Sequence, residues 1–362
     1  MQRTPLYDIE RSSGATFTHL FDWEIADSFG NLASEYRATR EGVTVLDRSY
    51  VGRFLVNGKD SLDLLNRLSS YKVDILNPGT GAGTILTTNK GRIIDLLYIF
   101  CLDDGLLMLT SPQTRQRVAE WIDLYTFLED VTLQDTTKSA AMITVLGPEA
   151  PSLLEKVSNN TVSDLQVFES RSVSIAGIPT SLHRSDPVGS CGYDLIVSKE
   201  NAEALWSAVT INGVGATPIG EACYNTLRIE AGIPRYGWEI SEEVNPWEAN
   251  LNQFIHFEKG CYVGQEVILR LDTYDKVQRH LMRLELSGES PFNGVSLQKQ
   301  GTRAGTITST VKHPVFGNYL GLGLIRTAYA TDNTELEITG SNGEIVGMAN
   351  ISSLSALPPE LT

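Results

Sequence analysis

The sequence of 362 residues lacks several features that would place it in a specialised class of protein. No stretch approaches the ~18 consecutive apolar residues that a membrane-spanning helix requires, and residues 1–10 contain no apolar segment of the kind found in a secretory signal. Basic residues are outnumbered, with 29 Lys and Arg against 44 Asp and Glu, so the net charge is −15. Because nucleic acids and anionic lipids bind clustered Lys and Arg, we predict neither a nucleic-acid partner nor a membrane partner.

Cysteine and histidine are also scarce, and they are scattered along the chain. The four cysteines are Cys101, Cys191, Cys223 and Cys261, and no two histidines have the spacing of metal ligands. We therefore expect neither a disulfide framework nor a metal site. Unpaired cysteines are typical of a reducing compartment, which predicts a cytoplasmic protein.

What the sequence does contain is a mixed pattern of strands and helices. Residues 52–110 predict strands around one helix, with a hairpin turn at Asn89-Lys90-Gly91. A helix over residues 220–231 has a marked end, because Gly232 and then Pro234 follow it. Residues 278–362 have short strands and frequent glycines, which predicts a small β-barrel. The fold class predicted from these patterns is mixed α+β, with antiparallel sheets and a C-terminal barrel.

Asp95 is the most informative single residue. It lies in a predicted strand over residues 92–101, both faces of which are largely apolar, as in a central strand. A carboxylate in such surroundings must be paired, protonated or functional. The residues alone leave two interpretations open, a catalytic group or a carboxylate satisfied by a nearby N–H or Arg.

Two further patterns carry chemistry-bearing side chains. Glu221, Tyr224 and Arg228 share one face of the predicted helix, where a solvated stripe is the plain interpretation. The segment Lys259–Glu266 places two glycines in a tight turn, with Cys261 close to Lys259. A neighbouring Lys can lower the pKa of a thiol, although Cys261 as a small buried hydrophobic residue is the favoured alternative.

Several separate motifs occur in the order found in one known superfamily, and they run nearly end to end. They are Thr4-Pro5-Leu6-Tyr7-Asp8, Glu35-Tyr36-Arg37-Ala38-Thr39-Arg40, Val45-Leu46-Asp47, Gly91-Arg92-Ile93-Ile94-Asp95 and Leu227-Arg228-Ile229-Glu230-Ala231-Gly232. By these motifs the chain resembles the folate-binding superfamily that contains the glycine-cleavage T-protein, an aminomethyltransferase, and the YgfZ-type proteins.

The resemblance implies a three-lobed fold around a central opening that holds tetrahydrofolate. Residues 1–277 would form two interleaved lobes, and residues 278–362 the C-terminal barrel domain. The approximate lobe boundaries are residues 1–50 with 140–245 for one lobe, and 51–139 with 246–277 for the other. The implied ligand is tetrahydrofolate, with no metal.

The resemblance also assigns roles to residues of this chain. Asp95 corresponds to the essential aspartate of T-proteins. Asp194, where the family usually has Glu, would grip the edge of the pterin ring, because a carboxylate can accept two parallel N–H bonds. Arg228 would fix the anionic folate or its neighbouring carboxylate, Tyr236 would supply a pocket wall, and Lys259 is also assigned to the folate site.

Two departures from the T-protein pattern leave the activity open. Pro187-Val188-Gly189-Ser190 stands where the family tends to have Tyr-Thr-Gly-Glu, and Lys259–Glu266 has the YgfZ-type form with Cys261. The first hypothesis is transfer of a one-carbon unit to tetrahydrofolate, from an aminomethyl group on a lipoyl carrier protein or from a methylated small molecule. The alternative is a YgfZ-type helper of iron–sulfur proteins in which Cys261 is critical. A scaffold that has lost its ligand is the third possibility.

A cluster of basic residues bears on the partner. Arg270, Lys276, Arg279 and Arg283 lie near the predicted domain junction and could attract an acidic lipoyl carrier. A solvated set of charges without a partner is the plainer interpretation.

Overall fold

The structure is a computed structural model that describes residues 1–210, 215–274, 276–288, 292, 294–340 and 342–354. The chain forms two compact units. The first comprises residues 1–66, 72–84 and 96–224, and the second comprises residues 67–71, 85–95 and 225–362. Each unit is therefore made of segments that are not contiguous in the sequence. The lobe boundaries given above remain a prediction.

The β-strands form three open sheets and one closed barrel. In chain order they are β1 Gln2–Arg3, β2 Thr16–Leu20, β3 Trp23–Ser28, β4 Thr44–Asp47, β5 Gly52–Asn57, β6 Gly81–Thr87, β7 Ile93–Leu102, β8 Gly105–Thr110, β9 Thr132–Asp135, β10 Ala140–Leu146, β11 Ser170–Ile175, β12 Ile178–Arg184, β13 Gly192–Ser198, β14 Thr217–Pro218, β15 Arg279–Gly288, β16 Ser296–Lys299, β17 Thr302–Lys312, β18 Tyr319–Arg326, β19 Glu335–Thr339 and β20 Ile345–Ser352.

The helices are short and are distributed among the strands. They are α1 Tyr7–Ser12, α2 Leu32–Glu41, α3 Ser61–Leu68, α4 Arg115–Leu124, α5 Ala150–Ser158, α6 Ala202–Thr210, α7 Glu221–Ala231 and α8 Gln265–Thr273, with 3₁₀ turns at Lys199–Asn201, Asn252–Phe254 and Thr327–Tyr329. None of the helices in the described part of the chain is long and apolar enough to cross a membrane.

The first unit is built around a six-stranded sheet with the order β11-β12-β13-β10-β4-β14. Helices α5 and α6 cover its apolar side, where side chains such as Ile143, Leu195 and Trp206 are buried together. Cross-strand pairing places Thr144 opposite Asp194, and Asp194 opposite His183. Because directly paired residues point to the same face, one row of polar side chains crosses the sheet at this level.

The five-stranded sheet has the order β6-β7-β8-β5-β9, so β7 is an inner strand, as predicted. Residues 85–95, which comprise the end of β6, the connecting turn and the start of β7, belong to the second unit. Gly91 in the predicted hairpin turn has a φ of +66°, a conformation that favours glycine. The turn is closed by a hydrogen bond from the Gly91 N–H to the Thr88 carbonyl, at 2.9 Å.

The second unit contains the C-terminal barrel, which confirms the prediction for residues 278–362 within their described part. Its strands close in the order β15-β18-β17-β16-β19-β20, with no open edge. Leu284, Ile307, Ile325 and Leu336 are fully buried in its core. Helix α7 ends at Ala231, and Gly232 follows with a φ of +76°, which confirms the end predicted from the sequence.

Candidate functional site

Asp95 is fully buried at the third position of β7 in the second unit, and it has interaction partners in the protein. The start of its strand is anchored by two bonds. The Ile93 N–H donates to the Val244 carbonyl at 3.0 Å, and Arg92 Nη1 donates to the Glu243 carbonyl at 2.9 Å. The first of these bonds fixes the backbone two residues before Asp95, so Asp95 is carried by an anchored strand rather than by a loop.

Asp194 is the third of the seven residues of β13 in the first unit, with 2% of its side chain exposed. Thr144 Oγ1 donates to Asp194 Oδ1 at 2.5 Å, and Arg48 Nη1 lies 3.5 Å from the same oxygen. Among the described residues none donates to Oδ2 of Asp194. A buried carboxylate therefore keeps acceptor capacity that a ligand with N–H groups can use.

Arg228 is bound into a buried network in the second unit. Its Nη1 donates to Glu239 Oε2 at 2.8 Å and its Nη2 donates to Ser309 Oγ at 2.7 Å, while Ser309 donates to Glu239 Oε1 at 2.5 Å. Thr308 Oγ1 donates to the same Oε1 at 2.8 Å. Consecutive strand residues normally face opposite ways, and a β-bulge at this point of β17 lets both hydroxyls reach one carboxylate.

The network limits what Arg228 can offer a ligand. Nε donates to Asn225 Oδ1 at 2.8 Å, and Nη1 also donates to the Ile233 carbonyl at 3.3 Å. Four of its five N–H groups are thus used within the unit. Direct contact of Arg228 with folate remains a prediction, and the contacts in the structure are those of a positioning residue.

Lys259 ties two distant segments of the second unit together. Its Nζ donates to the carbonyls of Ser69 and Tyr71 at 2.6 and 2.9 Å, and it lies 5.0 Å from the centre of the Tyr262 ring. The side chain is buried, with 7% exposure. These contacts stabilise the turn at residues 67–71, and the folate-site role of Lys259 remains a prediction.

Cys261 is exposed, so its interpretation as a small buried hydrophobic residue is wrong. It precedes α8 in a turn whose close approach is made at Gly264, and not at Gly260. A Cβ at Gly264 would lie 2.5 Å from the Thr88 carbonyl oxygen, whereas nothing lies within 4 Å of one at Gly260. The turn is therefore packed tightly at Gly264, whereas the thiol of Cys261 is exposed to solvent.

The solvated-stripe interpretation of α7 is also wrong. Glu221 and Tyr224, in the first unit, are each 7% exposed, and Arg228 is 2% exposed. Glu221 accepts a hydrogen bond from Tyr50 Oη at 3.1 Å, and the Tyr224 ring lies under the Arg48 guanidinium at 5.2 Å. The stripe meets buried polar groups instead of water.

Two other sequence predictions concern the second unit. Tyr236 is half-buried and pairs with Ile240 in an isolated bridge. The four basic residues near the junction have protein contacts that take up part of their charge: Arg270 with Glu266, Lys276 over Tyr274, Arg279 with Glu248, and Arg283 with the Glu230 carbonyl. These contacts favour the plainer interpretation of that cluster.

The predicted site residues divide between the units. Asp95, Arg228, Tyr236, Lys259 and Cys261 belong to the second unit, and Asp194 belongs to the first.

Glu239, Thr144 and Arg48 are not among the site residues predicted from the sequence. Their roles depend on contacts between residues far apart in the chain, and only the charge of Arg48 directly after a buried strand gave a signal. No group of three or more His, Cys, Asp or Glu in the described ranges could hold a metal ion.

The sequence matches a known protein family. The sequence model of the family described as "GCVT N-terminal domain" matches residues 6–259. An aminomethyltransferase of Shouchella clausii is 29% identical over 343 residues, which cover 93% of each chain. Another, of Caldanaerobacter subterraneus subsp. tengcongensis, is 27% identical over 343 residues, covering 93% of this chain and 91% of the relative.

A solved structure shows the same fold. The glycine cleavage system aminomethyltransferase T from Bartonella henselae superposes with a TM-score of 0.88 at 19% identity, covering 97% of both chains. The likeness confirms the T-protein fold predicted from the sequence. Because the family match spans well over half of the sequence, the chain belongs to the family of the GCVT N-terminal domain.

Proposed function

We propose that the protein is a tetrahydrofolate-dependent aminomethyltransferase that moves a one-carbon unit onto tetrahydrofolate. The relatives described above carry the name aminomethyltransferase, and the alignments run over more than nine-tenths of this chain. The observation that carries the proposal is the placement of Asp95, a fully buried carboxylate on an inner strand within the T-protein-like segment Gly91–Asp95.

The chemistry needs the folate N5 held against an electrophilic carbon, which is mainly a matter of proximity and orientation. It also needs a carboxylate that moves a proton or stabilises an iminium-like centre. We assign this role to Asp95, because its strand is anchored at Ile93 and its position is fixed before substrate binds. Asp194 supplies the acceptor for the pterin edge, since its Oδ2 has no donor among the described residues.

Arg228 and Lys259 are proposed to hold neighbouring segments of the second unit in place. Arg228 holds Glu239 and the barrel strand β17 to the end of α7, and Lys259 holds residues 67–71. We propose an aminomethyl group on a lipoyl carrier protein as donor. The cytoplasmic location predicted from the scattered cysteines fits this role, and all four cysteines are free.

The experiment that tests the proposal measures methylene-tetrahydrofolate formed from an aminomethyl-loaded lipoyl carrier, coupled to a dehydrogenase. An authentic T-protein serves as the positive control. Turnover comparable to the control supports the proposal, and no turnover beside a working control rules out this donor under the conditions used.

Two variants separate the enzyme from the alternative. Asp95→Asn should lower turnover by about 10²–10⁴-fold, the contribution of a positioned acid or base, while tetrahydrofolate still binds. Cys261→Ser should leave turnover unchanged, because the exposed thiol is not part of this chemistry. Full turnover of Asp95→Asn would show that the assignment of Asp95 is wrong.

A YgfZ-type helper of iron–sulfur proteins would give the reverse result. Cys261→Ser would then be the damaging change in a strain that lacks its own YgfZ-type protein, and Asp95→Asn the mild one. The accessible thiol of Cys261 is the feature that this alternative uses. The aminomethyltransferase relatives give it no support, so it is the second candidate.

A further inference from the structure

Arg48 is the charged residue closest to the proposed pterin acceptor in the first unit. It follows β4 directly, and its N–H donates to the Met142 carbonyl at 2.9 Å, which anchors its backbone to β10. Its guanidinium lies 5.2 Å from the centre of the Tyr224 ring and 3.5 Å from Asp194 Oδ1. Only 15% of the side chain is exposed. Two neighbours and the anchored backbone therefore hold the guanidinium in place.

The Arg48–Asp194 pair is not closed into a bidentate ion pair. Its separation of 3.5 Å exceeds the ~2.7–2.9 Å of a charge-assisted hydrogen bond. The contacts of Asp194 are concentrated on Oδ1, which also accepts from Thr144, while Oδ2 receives no hydrogen bond from the described residues. Oδ2 of this carboxylate therefore keeps acceptor capacity that a ligand with N–H groups can use.

We propose that Arg48 is a specificity residue that reads the 4-oxo group of the pterin ring while Asp194 accepts from the neighbouring N–H groups. This inference rests on the proposed function, in which tetrahydrofolate is the ligand. A 2-amino-4-oxo ring edge presents one acceptor beside two donors. A guanidinium beside a carboxylate presents the complementary pattern, with donors next to an acceptor.

The proposal distinguishes two closely related ligands. In a 4-amino-4-deoxy analogue the oxygen is replaced by an NH₂ group, which would meet the N–H groups of Arg48 with further donors. A binding site built for hydrogen bonding rejects such a mismatch because its polar groups are left unpaired. Asp194 meets the 2-amino group in both ligands, but it meets an N3–H donor only in the 4-oxo ligand, because N3 of the uncharged analogue carries a lone pair instead. Arg48 thus discriminates at position 4, while Asp194 contributes to overall affinity and discriminates at N3.

The experiment compares equilibrium binding of 5-formyltetrahydrofolate and its 4-amino-4-deoxy analogue, by isothermal titration calorimetry at a mildly alkaline pH that keeps the analogue uncharged. We expect the full-length protein to prefer the 4-oxo ligand by about 10–100-fold, the value of a hydrogen bond to a charged group. Arg48→Met should lower this ratio by about tenfold, the value of a hydrogen bond to a charged group, and leave the preference that Asp194 provides at N3. Arg48→Lys, which keeps the charge without the planar fork, should give an intermediate ratio and serves if the Met variant does not fold.

Arg40→Met is the matched control. Arg40 also lies over a tyrosine ring in the first unit, at 5.4 Å from the centre of Tyr36, but it is exposed on α2. The Arg40→Met variant should leave the ratio of the two ligand affinities unchanged. Asp194→Asn should weaken 5-formyltetrahydrofolate more than the analogue, because only the 4-oxo ligand has the N3–H donor, and this variant measures the contribution of the carboxylate to the ratio separately from that of Arg48.

The binding experiment distinguishes failure of the role of Arg48 from failure of the proposed function. If the unaltered protein binds neither ligand, the proposed function fails. If it binds 5-formyltetrahydrofolate and the Arg48 variants weaken both ligands equally or change neither, Arg48 does not read position 4. In that case this inference is overturned while the proposed function stands.

Discussion

Among single residues, Glu239 is the group that joins the end of α7, the loop after it and the barrel strand β17. It accepts hydrogen bonds from Arg228, Ser309, Thr308 and the Arg235 N–H, and its side chain is fully buried. A buried carboxylate with both oxygens satisfied is stable only while its partners remain. The network therefore determines how firmly the α7 end is held.

Arg228→Met should destabilise the protein by about 3–5 kcal/mol, because it leaves the Glu239 charge buried without its counter-ion. Urea unfolding followed by tryptophan fluorescence gives the free energy of unfolding. In the double variant Arg228→Met with Glu239→Gln the loss should be smaller than in the single variant, since no charge remains unpaired.

The control for this prediction is Arg270→Met. Arg270 and Glu266 form an exposed pair at 3.8 Å, with side-chain exposures of 66% and 85%. Exposed pairs contribute about 0–1 kcal/mol, so this change should be nearly neutral. Equal effects of the Arg228 and Arg270 variants would contradict a stabilising role for the buried pair.

The same residues show why part of the site could be predicted. Asp95 stood out because a lone carboxylate among apolar strand residues is visible in one short window of sequence. Arg228 stood out because its helix end resembles the T-protein segment. Glu239 gave no signal, since its donors on β17 lie about 70 residues away and reach it through a β-bulge. Thr144 likewise becomes important only through its cross-strand pairing with Asp194.

Among the structural elements, the turn before α8 allows the clearest test of local packing. Gly264 caps α8 with a φ of +86°, and a Cβ there would meet the Thr88 carbonyl oxygen at 2.5 Å. Gly264→Ala should cost at least about 1–2 kcal/mol for the left-handed conformation alone. We expect a lower Tm, by roughly 2–4 °C for each kcal/mol, in a thermal unfolding experiment.

Gly260→Ala is the matched control in the same turn. Its backbone is not left-handed, and nothing lies within 4 Å of an added Cβ. The substitution should leave the Tm within about 1 °C or raise it slightly, because Ala restricts the unfolded chain more than Gly does. A large loss at Gly260, or none at Gly264, would contradict the packing of this turn.

Most elements could be predicted from local patterns, and their tertiary pairing could not. The strand predicted over residues 92–101 is observed as Ile93–Leu102, and the helix predicted over 220–231 as Glu221–Ala231. The pattern of apolar residues in a strand and the glycine that ends a helix can both be recognised within a short stretch of sequence. The exposure of α7 was predicted wrongly, because burial of its polar face depends on residues such as Tyr50 that are distant in sequence.

For the whole molecule, stability should depend on pH through groups that folding buries. Burial lowers the pKa of His183 from 6.5 to about 3, because the charged imidazole loses its water. The unfolded chain then binds the proton more tightly than the folded chain, so the free energy of unfolding falls as the pH decreases from 6.5 towards 3. Burial raises the pKa of Glu10 and of Asp47, which act with the opposite sign.

His183→Gln should therefore flatten the acid side of the stability profile. A change in pKa from 6.5 to about 3 corresponds to about 4–5 kcal/mol lost between these pH values. Gln keeps a polar group near Ser181 Oγ, which lies 2.8 Å from His183 Nε2, and it does not titrate.

The readout is the difference in the free energy of unfolding between the variant and the unaltered protein, measured by urea unfolding at several pH values. Taking the difference cancels the contributions of Glu10 and Asp47, which both proteins share. His19→Gln, a change at an exposed histidine, is the control and should leave the profile unchanged. If His183→Gln and the unaltered protein lost stability in parallel between pH 6.5 and about 3, the buried imidazole would not be the group that drives acid unfolding. The groups whose protonation drives acid unfolding would then be the hydrogen-bonded carboxylates.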